Sequence, residues 1–119
     1  MLSYQHSYHA GNLADVHKHS LLAWMLDYLT RKDKPLSYIE THAGRGLYDL
    51  AGAAALKTGE AASGILRLRP RFATDHPYIR ALESLHQRHG PQSYPGSPLL
   101  AQALLRSTDS LHLAELHPQ

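Results

Sequence analysis

The chain has 119 residues, of which 43% are hydrophobic, a length and composition that fit one small globular domain and argue against disorder. It has no cysteine, which excludes disulfides and thiolate metal sites, and no apolar run approaches the roughly 18 residues of a membrane span. The net charge of +2 is a mild basic bias that by itself gives weak support to a nucleic-acid partner. Because the first residues are polar and histidine-rich, without an apolar signal core, we predict a cytoplasmic protein.

The first half of the chain predicts an arm, a helix, a strand and a glycine turn. Residues 1–11 are predicted to form an extended polar arm, and Asn12 is suited to cap a helix that begins at Leu13, fades over 31–34 and is ended by Pro35. Residues 36–41 (LSYIET) have strand character, and the turn Gly44-Arg45-Gly46 follows them directly. A second helix is predicted over 48–56.

The second half predicts further helices and one more strand. Within 58–94 we predict a helix over 59–69 and an amphipathic helix from Pro77 to Gly90. Ser97-Pro98 predicts a helix start with Ser97 as the N-cap, and residues 111–116 (LHLAEL) predict a strand. Alternating strands and helices indicate an α/β fold with a parallel sheet. Because two buried parallel strands need neighbours on both sides, we expect these residues to form part of a larger sheet.

The turn after the first strand is the main candidate for a ligand site. Its glycines allow the backbone to approach a ligand, and Glu115, near the end of the second strand, can accept hydrogen bonds from ribose hydroxyls. No Gly-x-Gly-x-x-Gly and no Gly-Lys-Ser/Thr is present, which favours a phosphate-free cofactor such as S-adenosylmethionine over a dinucleotide or a nucleoside triphosphate. An ordinary strand-to-helix turn with a surface Glu115 is the alternative.

A second cluster of functional side chains lies on and before the first helix. His17 and His19 are two residues apart on a helix and therefore face different directions, so we predict no metal site. A polar helix face is one alternative. A platform for a nucleic acid is the other, in which Tyr4 stacks on a base and Lys18 meets a phosphate or ribose.

Several segments in this order resemble the RlmJ (YhiR/ComJ) family of ribosomal RNA adenine-N6 methyltransferases. They are the opening residues 1–12, the loop Thr41-His42-Ala43-Gly44, the stretch Tyr94-Pro95-Gly96-Ser97-Pro98 and the end Glu115-Leu116-His117-Pro118. The resemblance implies a Rossmann-like fold of the S-adenosylmethionine-dependent methyltransferases with an inserted small helical subdomain. On this chain it implies methyltransferase core in 1–57, helical insertion in 58–94 and a return to the core in 95–119. Arg45 departs from the pattern, because the family usually has a small residue there.

The resemblance also implies roles for single residues. Those implied to contact the cofactor are His19, His42, Ser97 and Glu115. Those implied on the side of the substrate, an adenosine of 23S ribosomal RNA, are Tyr4, His6 and Lys18. The family's catalytic Asp-Pro-Pro-Tyr motif does not occur in the sequence, so we expect no catalytic residue here and an N-terminal part that is inactive by itself.

Two other functions stay open at the level of sequence. One is a non-catalytic nucleic-acid-binding module, with a possible link to the use of external DNA, a role also described for the family. The other is a small metal-dependent hydrolase that uses the histidine cluster. The sequence gives no indication of an oligomeric state.

Overall fold

The computed structural model describes residues 5–116 of the chain. The helices are α1 (Leu13–Leu29), α2 (Ala53–Thr58), α3 (Glu60–Ser63), α4 (Ile65–Leu68), α5 (Pro77–His89) and α6 (Ser97–Leu104). The strands are β1 (Ser37–Glu40), β2 (Leu47–Asp49), β3 (Ser93–Pro95) and β4 (Ser110–Leu113), and 3₁₀ turns lie at His6–Tyr8 and Arg69–Arg71. The chain is therefore a small mixed α/β domain.

The two predicted strands pair in parallel, as the alternation of helices and strands indicates. Strand β1 pairs with β4 in a register from Ser37–Ser110 to Glu40–Leu113. The two segments stay together beyond the strands, because Ala114 N–H donates to the Glu40 carbonyl and Ala43 N–H donates to the Ala114 carbonyl, both at 2.9 Å. This extension brings the glycine turn after β1 next to Glu115.

The predicted helix over 48–56 is wrong in its first half. Residues 47–49 form β2, which pairs antiparallel with β3, and Tyr48 is buried in that pair opposite Tyr94. Asp49 then accepts a hydrogen bond from Ala51 N–H in a local turn, so the helix begins only at Ala53. The partner strand lies more than 40 residues away along the chain, so local periodicity does not reveal this pairing.

The predicted helix over 59–69 is broken at Gly64 into α3 and α4. A Cβ atom at Gly64 would collide with the Gly11 carbonyl, and Ile65 N–H donates to that carbonyl at 2.8 Å. The close approach of residues 11–12 therefore redirects the chain at this point. The predicted amphipathic helix from Pro77 to Gly90 is confirmed as α5, which has Pro77 in its first turn and ends at Gly90, a residue with φ of +97°.

The predicted extended arm is wrong for residues 5–11. They form a 3₁₀ turn and fold back on the domain, because His6 pairs with Asp15 at 2.6 Å and His9 pairs with Glu60 at 3.0 Å. Gly11, with φ of +76°, turns the chain into α1, whose first turn is capped by the Asn12 side chain as predicted.

The core lies between α1, α5, α6 and β3. Its fully buried side chains include Ala23, Tyr78, Leu82, Tyr94 and Leu100. By contrast, large apolar side chains on the outer face of α1 and on the β1–β4 pair are exposed, namely Leu21, Trp24, Met25, Tyr28, Ile39 and Leu113. Across residues 5–116, no helix has the length and hydrophobicity needed to cross a membrane.

The loops at the amino ends of β1 and β4 are joined by Arg106 and Asp109. The Arg106 guanidinium donates to backbone carbonyls of the α1–β1 connection, including that of Thr30 at 3.0 Å, and pairs with Asp109 at 3.1 Å. Asp109 also accepts from Leu36 N–H at 2.8 Å. Hydrogen bonds from the Arg106 side chain and from the backbone N–H groups of Arg106 and Leu36 hold the pKa of Asp109 well below its usual value. This network fixes the end of the strand pair opposite the glycine turn.

Candidate functional site

A cavity of about 480 Å³ opens at the carboxyl ends of β1 and β4, against the first turns of α1 and α6. Its lining includes His6, Lys18, His19, His42, Ser97 and Glu115, so every predicted site residue within 5–116 is at this cavity. Tyr4, predicted on the substrate side, lies outside the described residues. In open parallel sheets, ligands bind at this edge of the strands.

Glu115 is held against the glycine turn. Its Oε1 accepts a hydrogen bond from Gly44 N–H at 2.7 Å. Gly44 has φ of +70°, and a Cβ atom there would lie 3.3 Å from the Tyr48 hydroxyl, so glycine suits both the conformation and the space. The Tyr48 hydroxyl also accepts from Arg45 N–H at 3.1 Å, while the Arg45 residue is exposed. The buried Tyr48 therefore supports the glycine turn. The turn accommodates Arg45 because this residue is exposed to solvent.

Ser97 does not cap α6, contrary to the prediction. Gly96 occupies the cap position, and Ser97 is the first helical residue. The Ser97 hydroxyl instead donates to Glu40 Oε1 at 2.6 Å, while the Tyr38 hydroxyl donates to Glu40 Oε2 at 2.8 Å. Burial, together with this carboxylate, raises the pKa of Tyr38. Both oxygens of Glu40 are thus engaged by side chains that fix the start of α6 relative to the end of β1.

A buried carboxylate anchors the N-terminal turn to the cavity wall. Asp15 accepts hydrogen bonds from His6 Nε2 at 2.6 Å and from Gly11 N–H at 2.9 Å. Burial acts to raise the pKa of Asp15, but the hydrogen bond from His6 and the Gly11 N–H outweigh it, so the pKa lies below its ordinary value. The His6 ring also meets Tyr48 edge to face at 5.2 Å. His6 is thereby held at the mouth of the cavity.

His19 is the most buried of the predicted site residues, with 1% of its surface exposed. Its Nδ1 lies 2.8 Å from the Tyr94 hydroxyl. Its Nε2 is buried and has no hydrogen-bond partner within the described part of the chain. Burial lowers the pKa of His19 from 6.5 to about 4, so the ring is neutral at pH 7. A buried polar atom without a partner is costly, and a ligand in the cavity is the natural source of one.

Lys18 and His42, like Glu115, are exposed residues of the lining. Lys18 lies on the first half of α1, and His42 follows β1, where its Nδ1 lies 3.0 Å from the Thr41 hydroxyl. The cavity therefore presents one lysine ammonium group beside the Glu115 carboxylate and several imidazoles. Among residues 5–116 no group of three or more His, Asp or Glu side chains is placed to hold a metal ion.

Sequence reasoning missed several residues that shape the cavity. Asp15 lines the cavity and Glu40 holds Ser97, but the sequence alone assigns a role to neither residue. Tyr48 and Tyr94 support the site through pairing of β2 with β3, which has no local signal. The position of Glu40, just before the glycine turn at the end of a parallel strand, is the one sequence signal that identifies any of them.

Comparison with known proteins identifies relatives of the chain. A family model described as "Ribosomal RNA large subunit methyltransferase D, RlmJ" matches residues 33–119. The chain is 46% identical to ribosomal RNA large subunit methyltransferase J of Escherichia coli and 45% identical to that of Haemophilus influenzae, in each case over 99% of this chain. It spans 43% of the length of these curated relatives.

A solved structure gives the same relationship at the level of the fold. The crystal structure of a protein from Legionella pneumophila superposes with a TM-score of 0.76 at 43% sequence identity. The match covers 92% of this chain and 41% of that protein. The family model covers well over half of the chain, so the chain belongs to the RlmJ family of ribosomal RNA large subunit methyltransferases.

Proposed function

We propose that the protein binds S-adenosylmethionine in the cavity between α1, the glycine turn and α6, and that it serves methyl transfer to N6 of an adenine in 23S ribosomal RNA. The observation that carries this proposal is the pairing of Glu115 with Gly44 N–H at the carboxyl edge of two parallel strands. That arrangement suits a nucleoside whose ribose hydroxyls need an acceptor. The membership of the RlmJ family supports the choice of reaction.

The residues around the cavity fit this cofactor in their chemistry. Glu115 is the acceptor for ribose hydroxyls, and the Gly44 backbone allows close approach. His19, His42 and Ser97 provide polar groups around the rest of the cavity, and His19 Nε2 is a buried atom that needs a partner. When bound, S-adenosylmethionine supplies an activated methyl group on its sulfonium. The protein's own part is to bind it and hold it in one orientation, which is the main contribution to catalysis in such a transfer.

We assign His6 and Lys18 to the substrate side of the proposed site, and for Tyr4, outside the described residues, the same role stays a prediction. Lys18 is exposed at the cavity and carries the positive charge that an RNA phosphate requires. His6 is fixed by Asp15, so it presents a defined edge to an incoming nucleotide. We assign the transfer step itself to the intact protein, since Asp-Pro-Pro-Tyr is not found among the 119 residues.

We further propose that the chain contributes part of a Rossmann-like sheet. In this arrangement residues 1–57 and 95–119 form the core that carries the β1–β4 pair. Residues 58–94 form a small helical subdomain inserted between them. Two observations support this division. The inserted segment packs on α1 through α3, α4 and α5, and the antiparallel pair of β2 with β3 joins its carboxyl end to residues 47–49 of the core.

The test is calorimetric titration of S-adenosylmethionine into the intact protein and into a Glu115→Ala variant. We expect the variant to bind more than tenfold more weakly, about 1.4 kcal/mol or more for the lost ribose hydrogen bonds. Glu83→Ala is the matched control, because Glu83 is an exposed carboxylate on α5 that does not line the cavity. Unchanged affinity in Glu115→Ala would remove Glu115 from the site. RNA binding with no S-adenosylmethionine binding by the wild type would favour a non-catalytic nucleic-acid-binding module.

A further inference from the structure

Three buried side chains form a row that ends at the cavity. The Tyr78 hydroxyl lies 2.8 Å from the Tyr94 hydroxyl, and the Tyr94 hydroxyl lies 2.8 Å from His19 Nδ1. Tyr78 is completely buried, and Tyr94 and His19 are each 1% exposed. The row runs from α5 through β3 to α1, and His19 is the member of the row that lines the cavity.

The protons along this row can be placed by counting donors. Tyr78 has no other hydrogen-bond partner in the part of the chain that the structure describes, so its proton is used only if it donates to Tyr94. Tyr94 then donates to His19 Nδ1, and the single proton of the neutral ring is on Nε2. In the reverse arrangement the Tyr78 proton and the Nε2 lone pair are both buried without partners, which costs more. The first arrangement leaves one group unpaired, the buried Nε2–H of His19, a residue that lines the cavity.

The charges around the row agree with this order. Burial raises the pKa of both tyrosine hydroxyls, so both keep their protons. Burial also keeps His19 neutral at pH 7, although Asp15 acts in the opposite direction, while Lys18 and His6 oppose a charge on the ring. These are the groups that face His19 from α1 and from the N-terminal turn.

We propose that Tyr94 and Tyr78 are positioning residues that hold His19 as a neutral donor with its proton on Nε2, directed to a carboxylate oxygen of the cofactor. The choice of a carboxylate follows from the arrangement of hydrogen-bond acceptors and donors at the cavity. Glu115 offers an acceptor at the end of β4, whereas the His19 N–H offers a donor on α1. The carboxylate of an amino-acid-bearing nucleoside fits that donor, and its hydroxyls fit Glu115. This inference rests on the proposed function for its ligand, but the proton order itself does not.

The proton order is tested on the wild-type intact protein without ligand, by nitrogen NMR of the His19 ring. We expect a protonated Nε2 and an unprotonated Nδ1 that accepts a hydrogen bond. A protonated Nδ1 overturns the proposal, whether or not the protein binds S-adenosylmethionine. A wild type that shows the expected ring but fails to bind S-adenosylmethionine overturns the proposed function and the carboxylate assignment, and leaves the proton order standing.

The positioning role is tested by binding. We expect Tyr94→Phe to weaken S-adenosylmethionine binding about fivefold and Tyr78→Phe about twofold, but Tyr94→Phe to have no further effect in a His19→Ala background. Equal losses in both backgrounds would mean that Tyr94 acts only through packing.

A decarboxylated analogue of S-adenosylmethionine should bind the wild type more weakly than the parent compound, and Tyr94→Phe should reduce that difference. If the difference is the same in both proteins, the carboxylate assignment is wrong. Tyr28→Phe, which removes a hydroxyl from a half-exposed tyrosine that does not line the cavity, controls for general destabilisation.

Discussion

Burial of His19 gives the protein a predictable response to acid. The folded-state pKa of about 4 lies below the ordinary 6.5, so between these values the unfolded chain binds more protons than the folded one. The free energy of unfolding should therefore fall as the pH is lowered from 7 to 4, with a contribution from His19 on the order of 3 kcal/mol. Asp15, whose pKa is lowered, adds to the loss at still lower pH.

The measurement is denaturant unfolding of wild type and His19→Gln at pH 7 and at pH 4.5. We expect the variant to lose less stability than the wild type over this range. His76 and His86 also have lowered pKa values and contribute to the slope in both proteins, so the difference between the two proteins isolates His19. His112→Gln, a change at an exposed position on β4, should leave the slope as in the wild type. Equal slopes for wild type and His19→Gln would contradict the burial of a neutral imidazole.

Lys18 allows the two sides of the cavity to be separated. Its ammonium group is exposed at the cavity, on the helix that also carries His19. In the intact protein we expect Lys18→Ala to reduce methyl transfer to RNA at least tenfold, with a change in S-adenosylmethionine affinity of less than threefold, because a phosphate contact is lost. Single-turnover assays and calorimetry measure the two quantities. Lys57→Ala, an exposed change on α2, is the control, and equal losses in both quantities would contradict a role toward the substrate.

The residues that the sequence identified and those it missed differ in a physical way. The predicted residues Glu115, His42 and Ser97 lie next to strand ends and turns. Because parallel strands end at the same edge of a sheet, the sequence alone predicts that these residues are close together. Tyr94 and Tyr48 depend on β2 pairing with β3 across the intervening helices. Asp15 depends on the N-terminal turn folding back over Gly11. Contacts of this second kind are set by tertiary packing, so no periodic pattern in the sequence predicts them.

At the level of elements, the junction between the glycine turn and α6 is the tightest backbone approach near the cavity. Gly96 N–H donates to the Gly46 carbonyl at 2.9 Å, and a Cβ atom at Gly96 would collide with the Arg45 carbonyl. Gly46 lies in the same junction, but a Cβ atom there would meet nothing within 4 Å. Alanine at Gly96 therefore tests the close approach, and alanine at Gly46 is its control.

We expect Gly96→Ala to destabilise the protein by about 2 kcal/mol or more, because the backbone must shift to relieve the collision. It should also weaken S-adenosylmethionine binding, since Ser97 follows directly. Gly46→Ala should change the free energy of unfolding by less than about 0.5 kcal/mol. Thermal or denaturant unfolding of both variants decides the point, and similar stabilities would show that the junction tolerates a side chain at Gly96.

The elements also show where local reasoning works. The helices α1 and α5 were predicted within a few residues because capping groups and apolar spacing define them. The segment over 59–69 fulfils the same local rules but is broken, since Gly64 packs directly against residues 11 and 12. The close contact of Gly64 with residues 11 and 12 arises from tertiary packing, so the helix propensity of the segment does not predict it.

At the scale of the whole molecule, the exposed apolar surface is large for a domain of this size. Trp24 and Tyr28 stack on the outer face of α1 with ring centres 6.2 Å apart, and both are at least 50% exposed. Ile39 and Leu113 are 67% and 47% exposed on a sheet that has two strands. Such surfaces usually pack against another part of a protein.

The 119-residue chain by itself is therefore expected to self-associate at micromolar concentration. Sedimentation of residues 1–119 at increasing concentration measures this, and an Ile39→Lys, Leu113→Lys double variant should shift the distribution toward monomer. Leu56→Lys, an equally exposed change on α2, should not. A cooperative melt of a monomeric wild-type chain would contradict the expectation.

The antiparallel pair of β2 with β3 has one more consequence, for tolerance of length changes. Leu50 N–H donates to the Gln92 carbonyl at 2.8 Å, so the two ends of the intervening stretch are fastened together. Residues 51–91 thus leave and rejoin the domain at neighbouring points, and lengthening a loop between fixed points costs little conformational entropy. Insertions or deletions in the exposed turns of this stretch should leave the distance between the glycine turn and α6 unchanged. Those turns are thus the natural place for the protein to acquire or lose sequence without disturbing the cavity.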